Sequence, residues 1–130
     1  QSVTRTVATN TTTSLTNNAT DSSTSITGFK GYLIYKALIS AASWVRIYVD
    51  AASRTADLGT NRTQTSDPTT PGVVAEFITT STNQTVLVSP AIYGFNNEST
   101  PTTSIPIAVT NLSGGTTAIT VSLTLLQLES

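Results

Sequence analysis

Few groups in this chain could move a proton or hold a ligand, and their types narrow the chemistry. Histidine and cysteine are both absent, which removes the side chain that titrates nearest neutral pH, the thiolate nucleophile and the usual zinc ligands together. Carboxylates, lysines and hydroxyls remain. Asp50, Asp57, Asp67 and Glu98 fall mostly in predicted loops or at a strand end, and gathered at one end of a sheet they would suit a paired-acid glycosidase. Nothing fixes their separation, and loop acids are usually solvated, so no catalytic residue is expected and the chain reads as a non-enzyme. No D-x-D-x-D-G run offers calcium a compact set of oxygens, and Gly114-Gly115 lacks the lysine and the following helix of a phosphate-cradling loop. No metal or other cofactor is expected.

Rings are the other means of recognition, because they stack on sugars and bury large areas in interfaces. Trp44, Tyr48, Tyr32, Tyr35 and Tyr93 are the candidates. Packing at the edge of the core, polar tips outward, is the plainer reading, and a sugar-binding patch is the alternative. Asn-x-Ser/Thr triplets begin at Asn10, Asn18, Asn61, Asn83, Asn97 and Asn111. In so hydroxyl-rich a chain many arise by chance, although the excess would also suit a secreted, glycosylated protein.

The elements that must position these groups are read from alternation. Threonine and serine make up roughly a third of the chain and recur at every second position between aliphatic residues, most plainly from Ala118 to Leu125, so one strand face is oily and the other is covered in hydroxyls. Residues 1–25 are almost all Thr, Ser, Asn and Ala, and form a polar N-terminal arm: either a linker, or an edge strand with Val3, Arg5 and Val7 in step that borrows partners from the sheet or a neighbour. Residues 26–130 form the folded domain. Ser25–Phe29 reads as a short strand, Tyr32–Ile39, apolar on both faces, as a central one, and Trp44–Asp50 as a third with Val45, Ile47 and Val49 on its aliphatic face.

Ala51–Ala56 suits a single helical turn, and Asp57–Gly72 is a polar excursion marked by Asp67-Pro68 and Pro71-Gly72. Three strands follow, Val73–Thr80, Thr85–Ser89 and Ile92–Phe95, the last two parted by Pro90, and then a polar loop, Asn96–Thr103. Ser104–Thr110 alternates cleanly, with Pro106 suggesting an edge or a bulge. Asn111–Gly115 reads as a hairpin turn, both glycines supplying positive φ. The closing strand, Thr116–Glu129, shifts its apolar phase at Leu125-Leu126, as at a bulge or a bend from one sheet to another. The whole predicts an all-β, antiparallel β-sandwich of about eight strands, jelly-roll-like, with immunoglobulin-like connectivity left open.

Composition sets the remaining bounds. A length of 130 residues suits one domain, and 38% hydrophobic residues are too many for a disordered chain. Only 10% of residues are charged and the formal net charge is -1, so there is no footprint for nucleic acid or anionic lipid. No apolar run approaches the roughly 18 residues of a spanning helix, and membrane insertion is not expected. Methionine is missing even at position 1, which suggests a segment of a longer polypeptide.

Five stretches carry a family likeness: Ala42–Tyr48, Ser53–Asp57, Gly72–Glu76, Gly94–Glu98 and Ile105–Asn111. Through them, Phe29 to Leu128 resembles a domain of structural proteins of tailed phages, especially cyanophages, where it often closes a fibre-like polypeptide. The resemblance implies a place on the virion surface, at a head or tail fibre tip or as a capsid decoration, and a homotrimeric β-sandwich contacting other virion proteins or a host-surface glycan. Within that likeness Arg46, Arg54 and Glu76 form a polar set suited to pairing across strands or subunits. Binding would fall to the loops Asp57–Pro71, with Arg62, and Asn96–Thr103, with Asn96, Asn97 and Glu98, beside Trp44, Tyr48 and Tyr93. A secreted carbohydrate-binding or adhesion module, and a polysaccharide-degrading fibre domain, are the alternatives.

Overall fold

A computed structural model of the chain describes residues 4–130. Nine strands and one helix follow in order: β1 Arg5–Thr11, β2 Thr20–Asp21, β3 Ser25–Thr27, β4 Gly31–Ile39, β5 Ser43–Tyr48, α1 Ala51–Leu58, β6 Val73–Ile78, β7 Gln84–Phe95, β8 Ser104–Asn111 and β9 Thr120–Glu129. One sheet has the order β1-β9-β4-β7, and the other β2-β8-β5-β6 with β3 also on β8. Every pairing is antiparallel. With β2 and β3 counted as one interrupted strand, this is the strand order of a jelly roll, which settles the connectivity the sequence leaves open.

The core lies between the sheets. Ile34, Ala37 and Ile39 of β4 and Val121, Leu123 and Leu125 of β9 meet Val45 and Ile47 of β5 and Ile105, Ile107 and Val109 of β8, all fully buried. Alternation explains this sidedness, and one bulge adjusts it: Tyr35 has no partner between the pairs Ile34–Leu125 and Lys36–Thr124. The extra residue carries the inward phase of β4 from even to odd numbers.

Four local expectations are corrected. The Asn111–Gly115 turn does not close a hairpin, because β8 and β9 belong to different sheets; Gly114 has φ +88° and Gly115 is not among the positive-φ residues. The segment is instead a crossover, held by Asn111, whose Nδ2 donates to the carbonyls of Leu15 at 2.8 Å and Gly115 at 2.7 Å. Pro106 lies on an inner strand, paired opposite Ser25 of β3. The Ile107 amide donates to Thr24 on that side, so the nitrogen of Pro106 faces β5, where the ladder has already stopped at Ile107–Ile47. Pro90 does not end a strand: β7 runs through it, with Val88 to Ala91 opposite the single residue Tyr35, which an edge position tolerates. Of the two readings of the phase shift at Leu125-Leu126, the change of sheet fails, since β9 keeps β1 and β4 as neighbours, while the β4–β9 register does shift on either side of it, at Tyr35 opposite Thr124 and Leu125 and again at Leu128. Leu126 and Leu128 instead put aliphatic groups on the outward side.

In the arm, β1 lies along β9 as an edge strand, with hydroxyl pairs Thr9–Ser122 at 2.9 Å and Thr11–Thr120 at 2.8 Å across the ladder. Val3 lies outside the described residues. Leu15 is buried and bridges to Thr117, and the buried Asp21 accepts from the amides of Ser23 and Thr24 at 2.9 Å each. Those amides outweigh the burial that would raise it and hold its pKa below the usual carboxylate value.

Candidate functional site

Period-two alternation on β5 sends Val45 and Ile47 into the core and Trp44, Arg46 and Tyr48 to the other face. That face does not meet solvent. Helix α1 and the segment that follows it close over it, and all six residues of β5 are buried. The helix starts where Asp50 caps it, with Oδ1 accepting from the Ser53 amide at 2.7 Å. It ends by placing Asp57, which is fully buried, against the β5 row.

Asp57 is the centre of an ion cluster. Tyr48 donates its hydroxyl to Oδ2 at 2.6 Å, and Arg62 grips the carboxylate with Nε and Nη2, each at 2.7 Å. Arg62 then reaches Glu76 of β6 with Nη1 at 2.8 Å, and the Trp44 indole donates to the same Oε1 at 2.9 Å. Arg46 lies opposite Glu76 in the ladder, with its guanidinium over the Trp44 ring at 3.7 Å from the centroid. Its Nη1 is 3.8 Å from Asp57 Oδ2. The Arg62 hydrogen bonds hold the Asp57 pKa down against burial and raise that of Arg62 in turn. Burial, helped by the hydrogen bond to Asp57, pushes Tyr48 above its usual range. Burial pulls Arg46 down. The cluster therefore favours the charged forms of Asp57 and Arg62 and the neutral form of Tyr48.

Beside the cluster opens a pocket of about 360 Å³, lined by Trp44, Arg46, Arg62, Thr110, Thr20 and Gln64 among others. Trp44 is no stacking platform, being 4% exposed and covered by Arg46.

The other candidate residues lie elsewhere. Arg54, on α1, donates Nη1 to the carbonyls of Thr24 at 2.9 Å and Ile107 at 3.1 Å, tying the helix to β8 and to the residue just before β3 of its own chain. Asn96 is a loop staple: its Nδ2 donates to Thr102 and Ser104, and its Oδ1 accepts from the Glu98 and Thr102 amides. Asn97 donates its amide to Val49 at 2.8 Å, and Glu98 accepts from the Ala51 amide at 3.2 Å, both at the start of α1. The Asp57–Pro71 loop leaves the end of this eight-residue helix and returns to its start, where Gly72 accepts from the Val49 amide at 3.0 Å and Val49 accepts from Asn97, so the two loops meet there and only Asp57 and Arg62 belong to the far end. The carboxylates divide the same way, Asp50 and Glu98 at its start and Asp57 at its end. Tyr93 is on the other sheet, stacked on Phe95 with ring centroids 5.9 Å apart.

Glu76, expected from the family likeness as part of a polar set with Arg46, faces it across the ladder, and Gln64 falls within the Asp57–Pro71 loop, whereas Thr110 and Thr20 line the pocket without standing out as site residues in the sequence. Their places depend on β2–β8 and β5–β8 register, which leaves no local signal. The asparagine triplets have a conformational reading: Asn18, Asn61 and Asn83 have positive φ, which asparagine tolerates better than most residues, and Asn111 is fully buried. No protein-family model, curated protein or solved structure matches the chain.

Proposed function

We propose that this chain is a non-enzymatic surface protein of a tailed-phage virion, at a fibre tip or as a capsid decoration, acting through binding surfaces as a homotrimer. The observation that carries the reading is the outward face of the β1-β9-β4-β7 sheet. Val7, Leu38, Leu87, Tyr93 and Phe95 are exposed there, Leu87 at 76% and Val7 at 65%. Leu33 and Leu126 are half-buried and paired across strands beside them. Thr124 and Lys36 stand between Val7 and Leu87, and Ser122 and Thr85 flank Leu38; a solvated sandwich face is normally polar, and this many large apolar side chains among those polar ones mark an interface. A second copy of the chain is the occupant we assign to it, in keeping with the family likeness and with the small number of charges that would have to be desolvated. Jelly rolls also serve in viral capsid and lectin domains, which supports the reading by analogy of fold alone.

The test is made on particles. Antibody to the folded domain should label the virion surface, and particles stripped of the chain should lose host adsorption if it is an adhesin, or capsid stability if it is a cement protein. Particles that carry no label, and that keep both properties after the gene is deleted, would end the proposal.

A further inference from the structure

Arg46 is an unusual arginine. It is 3% exposed, yet of its five donors only Nη2 makes a hydrogen bond, a long one of 3.3 Å to Thr110 Oγ1. Nε has no partner among the described residues. Asp57 does not serve it, because Oδ2 already accepts from Tyr48 and Arg62 at 2.6 and 2.7 Å and stands 3.8 Å from Arg46 Nη1. A buried donor left without an acceptor is costly, and this guanidinium is held over the Trp44 ring, its carbon 3.7 Å from the centroid. Its pocket is lined by two arginines and by no carboxylate; Asp57 and Glu76, which balance the charge, stand outside the lining.

We propose that this pocket binds a carboxylate-bearing sugar residue of the uronic acid class, with the carboxylate on the free donors of Arg46 and beside the positive charge of Arg62. A guanidinium edge matches a carboxylate in shape and charge. The sugar, rather than an acidic side chain of a protein, follows from the rest of the lining. Asn18, Asn61, Gln64 and Thr20 offer paired donors and acceptors for ring hydroxyls, and Leu58 an apolar contact for a ring face. A volume of about 360 Å³ is at the small end of ligand sites. The site is on the opposite side of the sandwich from the apolar face, and the inference holds whether or not the chain belongs to a virion.

The chain has one tryptophan, so the Trp44 indole N–H gives a single resonance at the pocket wall. Titration of the intact chain with galacturonate should move that resonance, with affinity about tenfold greater than for galactose, which lacks the charge, or for glutarate, which lacks the ring. Arg46→Lys should remove most of the preference over galactose. Gln64→Phe, at the exposed mouth and outside the ion cluster, should block binding and leave the fold intact, which keeps the test decisive if the buried variant does not fold. No response to galacturonate, equal affinity for galactose, equal affinity for glutarate, or binding undiminished by Gln64→Phe would each overturn the proposal.

Discussion

The outward faces of the two sheets have opposite environments. On the β2-β8-β5-β6 sheet, Trp44, Arg46 and Tyr48 are roofed by the chain's own helix and by Arg62, and Asp57, Arg62 and Glu76 pair inside the molecule while Arg46 keeps a donor free. On the β1-β9-β4-β7 sheet, Val7, Leu38, Leu87 and Tyr93 have no roof among the described residues. A charge cluster needs a dry, internally satisfied setting, whereas an apolar sheet face without one needs something from outside. The first region therefore holds the monomer together and shapes a small pocket, and the second is left for a partner.

If that contrast is right, damage to the two regions reads out differently. The largest loss should follow Asp57→Ala, which strands Arg46, Arg62 and the Tyr48 hydroxyl in a buried site. Urea unfolding should report about 3–5 kcal/mol of destabilisation. On the other sheet, the sensitive point is internal and not on its surface. A Cβ at Gly94 would lie 2.5–2.6 Å from ring atoms of Tyr32, so Gly94→Ala should cost about 1–3 kcal/mol by the same measurement.

Acid should also act on the charged side. Asp57, Asp50 and Asp21 all have folded-state pKa values below the ordinary 3.8. Below that value the unfolded chain takes up protons that the folded chain resists, so stability is full above about pH 4 and falls as pH drops through the folded values. Midpoints of thermal unfolding across pH 2–5 should follow that course, less steeply in Asp57→Asn. The smallest effect belongs to the hydroxyl ladder: Thr9→Val removes the bond to Ser122 and should change stability by about 0.2–1 kcal/mol in a double-mutant cycle with Ser122→Ala.

Much of the fold was legible because it is written in local periodicity. Strict alternation marked β8 and β9, two-faced hydrophobicity marked β4 as central, and Ala-rich composition after Asp50 marked α1. Misreadings came where local chemistry is the same for two outcomes. Gly114-Gly115 permits a tight turn whether the next strand pairs beside the last or crosses to the other sheet, and only distant pairing decides between them. Pro106 forbids one ladder bond, which can be missing because a strand is an edge or because its neighbour has ended. In the site, Trp44, Arg46 and Tyr48 were legible as one face of a strand. Asn96 and Arg54, equally plausible as ligands by residue type, turned out to bind backbone of their own chain.

The most direct test of the contrast is the mass of the folded chain in solution by sedimentation equilibrium, taken beside Leu87→Asp, an exposed change expected to move monomer stability by no more than about 0.5 kcal/mol. The account predicts a trimer for the natural chain and a folded monomer for the variant. A natural chain that stays monomeric, or a trimer that Leu87→Asp leaves intact, would contradict it.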